Sequence, residues 1–178
     1  MSAIQIKDLT FVPYINEKEL SEAIENVAQK INTDYQGEEV FFVGVLNGVF
    51  MFASDLLRRI DLKCHISFVK LSSYEGTEST EEIKELFGLT ESVEGKHVII
   101  LEDIVDTGLT IEGLYKDLLN QNPASLEICT LLFKPDKYTK TVPLKYIAKS
   151  VPNEFVVGYG LDYDGYGREI PSIYQLKV

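Results

Sequence analysis

HVIILEDIVDTGLT (residues 97–110) sets an apolar run directly against a cluster of acidic and hydroxyl residues. The run at residues 97–101 has the continuous apolar character of a strand that is covered on both faces of a parallel sheet. Carboxylates and a turn of small residues follow at its predicted end, namely Glu102, Asp103, Asp106, Thr107, Gly108 and Thr110. Because ligands bind at the carboxyl ends of strands in open parallel sheets, this segment predicts a ligand site.

The turn at residues 107–110 has the features of a phosphate-binding helix start. The first N–H groups of a helix lack intrahelical partners and carry the positive end of its dipole. A glycine lets the backbone approach a ligand closely, and threonine hydroxyls add donors. The adjacent carboxylates can accept hydrogen bonds from a ribose diol, which leaves Asp106 as a proton acceptor. The segment therefore fits a ribose 5-phosphate, although an acidic helix cap remains open as the alternative.

The rest of the chain alternates between predicted strands and helices. Apolar spacing predicts helices from Asn16 to about residue 32, at 50–60 and from 107 to about 120, and strands at 39–46, 65–71, 97–101 and 126–133. Residues 72–94 are polar and are predicted to form a long loop. Two short runs, KYIA and EFVVGYG, are assigned to a small lobe over the sheet.

This order predicts one α/β domain over residues 1–178, with a central parallel sheet flanked by helices. Its core is expected at about 16–133, and a small hood is expected from both chain ends, at about 1–15 and 134–178.

Composition limits the classes of partner. The 178 residues carry a net charge of −11, which disfavours nucleic acid and anionic membrane surfaces as partners. Cys64 and Cys129 lie in apolar runs, which indicates reduced thiols and a cytoplasmic protein. We expect no signal peptide and no membrane span.

Residues 98–110 resemble the 5-phosphoribosyl 1-diphosphate signature of type I phosphoribosyltransferases, in the form seen in hypoxanthine-guanine phosphoribosyltransferases. That form has apolar residues, Glu-Asp, two apolar residues and then Asp-Thr-Gly-x-Thr. The resemblance extends over roughly residues 40–170 and implies the type I phosphoribosyltransferase fold. It also implies roles for the signature residues: Glu102 and Asp103 at the ribose or a metal ion, Asp106 at a purine proton, and Thr107, Gly108 and Thr110 at the 5′-phosphate.

Other segments support the resemblance. Leu46, Asn47 and Gly48 match the family's pyrophosphate loop, in which the first peptide is often cis, and Ser73 and Tyr74 match its mobile lid. Many relatives have Lys where this chain has Asn47, and some have Lys where it has Ser72. Taken alone, these segments are also typical of an ordinary strand–turn–helix joint and a solvated loop.

The last third of the chain matches the base-binding and closing segments of the family. The resemblance implies that Lys134 donates to the 6-oxo group of a purine, that Phe155 stacks on its face and that Val156 offers backbone groups to its edge. It implies that Asp162 ligates magnesium and that Arg168 grips pyrophosphate. Without it, these residues fit a surface turn and an edge strand with a tyrosine-rich turn.

The implied function is purine salvage. A 6-oxopurine, hypoxanthine or guanine, would attack C1 of 5-phospho-α-D-ribose 1-diphosphate with Mg²⁺ as cofactor, giving IMP or GMP and pyrophosphate. Relatives form dimers or tetramers, so a homodimer or homotetramer is expected. The alternative is an RNA-binding regulator of pyrimidine genes with the same fold, which needs a basic surface. A flavodoxin-like phosphoacceptor domain has no use for a phosphate-binding turn directly after its aspartates.

Overall fold

Two sheets and three α-helices make up the part of the chain that the computed structural model describes, residues 2–73 and 83–177. The strands are β1 (Ile4–Ile6), β2 (Leu9–Ile15), β3 (Glu39–Leu46), β4 (Lys63–Ser73), β5 (Ile83–Phe87), β6 (His97–Val105), β7 (Ser125–Phe133), β8 (Tyr146–Ser150), β9 (Val156–Val157) and β10 (Ile173–Leu176). The helices are α1 (Glu17–Asp34), α2 (Phe50–Leu57) and α3 (Leu109–Leu119).

The central sheet has the strand order β5-β4-β3-β6-β7-β8. All neighbours are parallel except β5, which pairs antiparallel to β4 at one edge. From β3 the chain crosses to β4 on one side and later enters β6 on the other side. The carboxyl ends of β3 and β6 therefore form the topological switch point, where open α/β sheets bind ligands.

Helices cover both faces of this sheet, as the apolar pattern predicts. Buried residues of α1 and α2, such as Ile24 and Phe52, share one apolar cluster with Phe42 of β3. Residues of α3, such as Leu114, pack in a second cluster with Val43 on the opposite face. The predicted parallel α/β sheet is confirmed, and β3 matches its predicted bounds.

Four sequence predictions are wrong in detail. β6 continues to Val105 because its last residues still pair with β7, so the two adjacent carboxylates lie within the strand and not beyond it. Residues 83–87, predicted as loop, form β5 against β4. KYIA, assigned to the small lobe, forms most of β8, which extends the central sheet by parallel pairing with β7. The second helix is also shorter than predicted and ends at Leu57.

A hood built from both chain ends lies beside the core, as expected. Its strands run antiparallel in the order β1-β2-β10-β9. Val156, Leu161 and Ile173 of the hood lie in the same apolar cluster as α2, and the Tyr159 hydroxyl donates to Asp55 of that helix. Within the described residues, no helix is both long and apolar enough to cross a membrane.

The start of α1 supplies a test of the fold. Asn16 accepts a hydrogen bond from the Glu19 N–H, and Glu19 accepts one from the Asn16 N–H, both at 3.0 Å. We expect Asn16→Ala to lower the free energy of unfolding by about 1 kcal/mol, measured by urea denaturation, because it removes the side-chain half of this capping box. Glu22→Ala, at an exposed position of the same helix, is the control and should change it by less than about 0.5 kcal/mol. Equal losses would contradict the capping role.

Candidate active site

The register between β6 and β7 brings Asp106 and Lys134 together. Val105 pairs with Phe133 at the last position of both strands, and the Lys134 N–H donates to the Val105 carbonyl at 3.0 Å. The next residue of each strand therefore leaves the sheet at the same point. Lys134 Nζ lies 3.2 Å from Asp106 Oδ2, and the lysine side chain is only 8% exposed.

A second lysine, which sequence analysis missed, contacts the same carboxylate oxygen. Lys137 Nζ lies 3.3 Å from Asp106 Oδ2. The other oxygen, Oδ1, is buried and has no hydrogen-bond partner among the described residues. An unpaired buried acceptor is costly, so this oxygen is the clearest sign of a missing ligand donor. The proline after Lys134 was the sequence feature that could have indicated Lys137. It starts a 3₁₀ turn, in which residues three positions apart, here Lys134 and Lys137, lie on the same side.

The turn between β6 and α3 forms the floor of a cleft lined by Glu102 and residues 104–111. Gly108 caps α3 with a φ of 84°, a left-handed conformation that favours glycine. The ring of Tyr138 packs against it closely enough that a Cβ would overlap the ring. The N–H of Thr139 donates to the Thr107 carbonyl at 3.3 Å. The segment after β7 thus holds the turn in place, while the side chains of Thr107 and Thr110 remain exposed.

The adjacent carboxylates differ from the solvated diol acceptors that the sequence suggested. Burial raises the pKa of Glu102 well above its usual range, and the charge of Asp103 raises it further. Burial also raises the pKa of Asp103, against the opposing effects of its bond from the Ile104 N–H, at 2.7 Å, and of the Arg168 charge. Burial therefore disfavours the charged form of both carboxyl groups, which lie next to each other in the chain.

The pyrophosphate-loop candidates lie against this pair. The Leu46–Asn47 peptide is cis, Asn47 is exposed and Gly48 is buried. A Cβ at Gly48 would overlap the Asp103 carboxylate, and a Cβ at Gly160 would overlap the Gly48 carbonyl. The turn at Gly48 therefore lies between Asp103 on one side and the segment at Gly160 on the other.

Arg168 and Asp162 also reach this junction. Arg168 donates to the Gly160 carbonyl at 2.7 Å and contacts Asp162 at 2.8 Å. The second Asp162 oxygen accepts from the Gly165 N–H at 2.7 Å. The two residues that the resemblance gives separate roles, metal binding and pyrophosphate binding, are thus paired with each other.

The base-stacking candidate lies in the hood. Phe155 is 42% exposed, and its ring centroid is 6.0 Å from that of Phe11 and 5.9 Å from that of Tyr163. Val156 is buried and pairs with Gln175 of β10. Ser73 ends β4, and Tyr74 lies outside the described residues.

The carboxylates of the site are its candidate metal ligands. No group of three or more His, Cys, Asp or Glu side chains in the described ranges is arranged to hold a metal ion. Asp103 and Asp162 nevertheless both interact with Arg168, which puts two carboxylates at one junction. This fits Mg²⁺, which commonly takes one or two carboxylates and completes its shell with substrate phosphates and water.

Comparisons with known proteins agree with this geometry. The family model described as phosphoribosyl transferase domain matches residues 14–164. A hypoxanthine-guanine phosphoribosyltransferase of Staphylococcus aureus is 42% identical over 164 residues, covering 92% of each chain. One from Staphylococcus epidermidis is 42% identical over 173 residues, covering 97% of this chain and 96% of that one. The crystal structure of a hypoxanthine-guanine phosphoribosyltransferase from Bacillus anthracis superposes with a TM-score of 0.87 at 36% identity, covering 97% of this chain and 99% of that one.

Gly108 supplies a test of the packing at the turn. We expect Gly108→Ala to lower the free energy of unfolding more than Gly37→Ala, measured by urea denaturation. Both positions are left-handed, with φ of 84° and 88°, so each substitution costs about 1–2 kcal/mol of backbone strain. A Cβ meets nothing at Gly37 but overlaps the Tyr138 ring at Gly108, which adds about 1–3 kcal/mol. Equal losses would show that the ring moves aside freely.

Proposed function

Since the chain belongs to the phosphoribosyltransferase family, in its hypoxanthine-guanine branch, we propose that it transfers a 5-phosphoribosyl group to a 6-oxopurine in purine salvage. The donor is 5-phospho-α-D-ribose 1-diphosphate and the products are IMP or GMP and pyrophosphate. The observation that carries the choice of base is the Lys134–Asp106 pair, whose second carboxylate oxygen is buried without a partner.

Lys134 and Asp106 bind two different groups of the base, the 6-oxo oxygen and the imidazole N–H. The ammonium of Lys134 has donors only, so it favours a 6-oxo purine over a 6-amino one. Asp106 Oδ1 is the carboxylate oxygen that accepts no hydrogen bond from the described residues, and it receives the imidazole proton of the purine. Phe155 covers the purine face with its exposed ring, and the backbone of Val156 contacts the purine edge.

The signature segment holds the ribose 5-phosphate. The N–H groups at the start of α3 and the exposed hydroxyls of Thr107 and Thr110 bind the phosphate, with Gly108 allowing close approach. Glu102 and Asp103 orient the ribose hydroxyls.

Departure of pyrophosphate leaves positive charge at C1, so the leaving group needs stabilisation. The backbone of Leu46, Asn47 and Gly48 and the guanidinium of Arg168 bind it, and Arg168 exchanges its contact with Asp162 for the phosphate oxygens. Mg²⁺ would be held by Asp162 and by one carboxylate of the Glu102–Asp103 pair, together with substrate oxygens, and when bound it would neutralise leaving-group charge.

The regulator alternative has no support. The curated relatives carry the names of hypoxanthine-guanine phosphoribosyltransferases, and a net charge of −11 opposes binding to RNA. We further propose a cytoplasmic location, which two free cysteines support, and a homodimer or homotetramer.

The test of this function is a screen of bases. The purified protein is incubated with the phosphoribosyl donor and either hypoxanthine, guanine, xanthine or adenine, with Mg²⁺ or with a chelator. We expect pyrophosphate release with hypoxanthine or guanine, much less with adenine, and none with the chelator. Failure of every base to release pyrophosphate would overturn the proposal. Equal rates with adenine would overturn the role of Lys134.

Asp106 is tested by removing its charge at constant size. We expect Asp106→Asn to lower kcat by about a hundredfold or more, because the amide cannot accept a proton, with little change in the KM of the phosphoribosyl donor. Asp117→Asn, at an exposed position of α3, is the control and should leave steady-state kinetics unchanged. Activity of Asp106→Asn within about threefold of the native protein, under about 0.7 kcal/mol in barrier, would contradict the proton role.

A further inference from the structure

Two lysines share one oxygen of Asp106, and the proposed function uses only one of them. Lys134 Nζ lies 3.2 Å and Lys137 Nζ 3.3 Å from the same Oδ2 atom. Their surroundings differ, because the Lys134 side chain is 8% exposed and the Lys137 side chain is 39% exposed. The buried lysine reaches the carboxylate from the end of β7, whereas the second one reaches it from the more exposed turn that follows.

The chain fixes Lys137 in this place by several local contacts. A 3₁₀ turn, Pro135–Lys137, follows β7, and the Lys137 N–H donates to the Lys134 carbonyl at 3.2 Å. Tyr138 anchors the end of the turn, since its ring packs edge-on against Phe133 and its hydroxyl donates to the Val142 carbonyl. The approach of the second ammonium to Asp106 is therefore built into the turn.

The proposed reaction explains why two lysines would contact one carboxylate oxygen. To donate to the 6-oxo group of a purine, the Lys134 ammonium must direct donors away from Asp106 Oδ2. A partly buried carboxylate that loses its countercharge is strongly destabilised and tends to move or to be neutralised. Lys137 remains on Oδ2 throughout, so the carboxylate keeps its charge and its orientation while Oδ1 faces the base.

Resting on the function proposed above, we propose that Lys137 is a positioning residue that holds the Asp106 carboxylate toward the base when Lys134 turns to the purine oxygen. An ordinary surface ion pair would have no such effect. The chain offers one for comparison: Lys116 contacts Glu112 at 3.2 Å on the exposed side of α3, with its side chain 64% exposed.

The experiment is a double-mutant cycle on kcat/KM for hypoxanthine. Native protein, Lys137→Gln, Asp106→Asn and the double variant are compared, together with Lys137→Arg and the control Lys116→Gln. We expect Lys137→Gln to lower kcat/KM for the base about tenfold with the KM of the phosphoribosyl donor unchanged. We expect Lys137→Arg to retain activity within about threefold and Lys116→Gln to match the native protein.

The Asp106→Asn background separates positioning from a general structural effect. If Lys137 acts through Asp106, adding Lys137→Gln to Asp106→Asn changes kcat/KM by less than about twofold, because the carboxylate that Lys137 positions is already absent. A full tenfold loss in that background would overturn the proposal. So would native activity of Lys137→Gln, or a loss in Lys137→Arg equal to that in Lys137→Gln.

Failure of the underlying function gives a different result. Native protein that releases no pyrophosphate with any base would overturn the proposed function and this role together. Active native protein with an unaffected Lys137→Gln variant would overturn the positioning role alone. Thermal unfolding of each variant confirms that the comparison is between folded proteins, and the conservative Lys137→Arg variant keeps the test decisive if Lys137→Gln unfolds.

Discussion

The parallel pairing of β6 with β7 up to Val105 and Phe133 is the constraint on which the site depends. Both strands end at this pair, so the residues that follow them leave the sheet next to each other. Asp106 and Lys134 are adjacent for this reason alone, although 28 positions separate them in sequence. A register shift of one residue would turn these side chains to opposite faces of the sheet and would separate the pair.

Close backbone packing provides the second half of the site. A Cβ at Gly160 of the hood would overlap the Gly48 carbonyl, and a Cβ at Gly48 would overlap the Asp103 carboxylate. Arg168, which donates to the Gly160 carbonyl, is close enough to Asp103 for its charge to lower the pKa of that carboxyl, and this links the hood to the central strand. Glycine is required at both contacts because of space, and at Gly160 also because φ is positive.

The positive side chains of this site are paired with nearby carboxylates, although the chain as a whole is strongly acidic. Lys134 and Lys137 contact Asp106, and Arg168 contacts Asp162, so each positive group has an internal carboxylate partner. A ligand oxygen can replace Asp162 at Arg168, and another can bind Lys134 while Lys137 stays on Asp106, which limits unpaired buried charge in either state. Net charge therefore excludes classes of macromolecular partner but does not describe the affinity of the site for an anionic substrate.

Features that depend on local chemistry could be predicted from the sequence. These are the parallel α/β sheet, the start of α1 at Asn16, the bounds of β3 and the signature turn before α3, because apolar period and turn residues are local signals. β5, β8 and the length of β6 could be known only from the folded chain, since these depend on pairing with distant strands. The same holds for the contact of Lys137 with Asp106, which is remote in sequence, and for that of Arg168 with Asp162, which needs the hood segment between β9 and β10 to fold first.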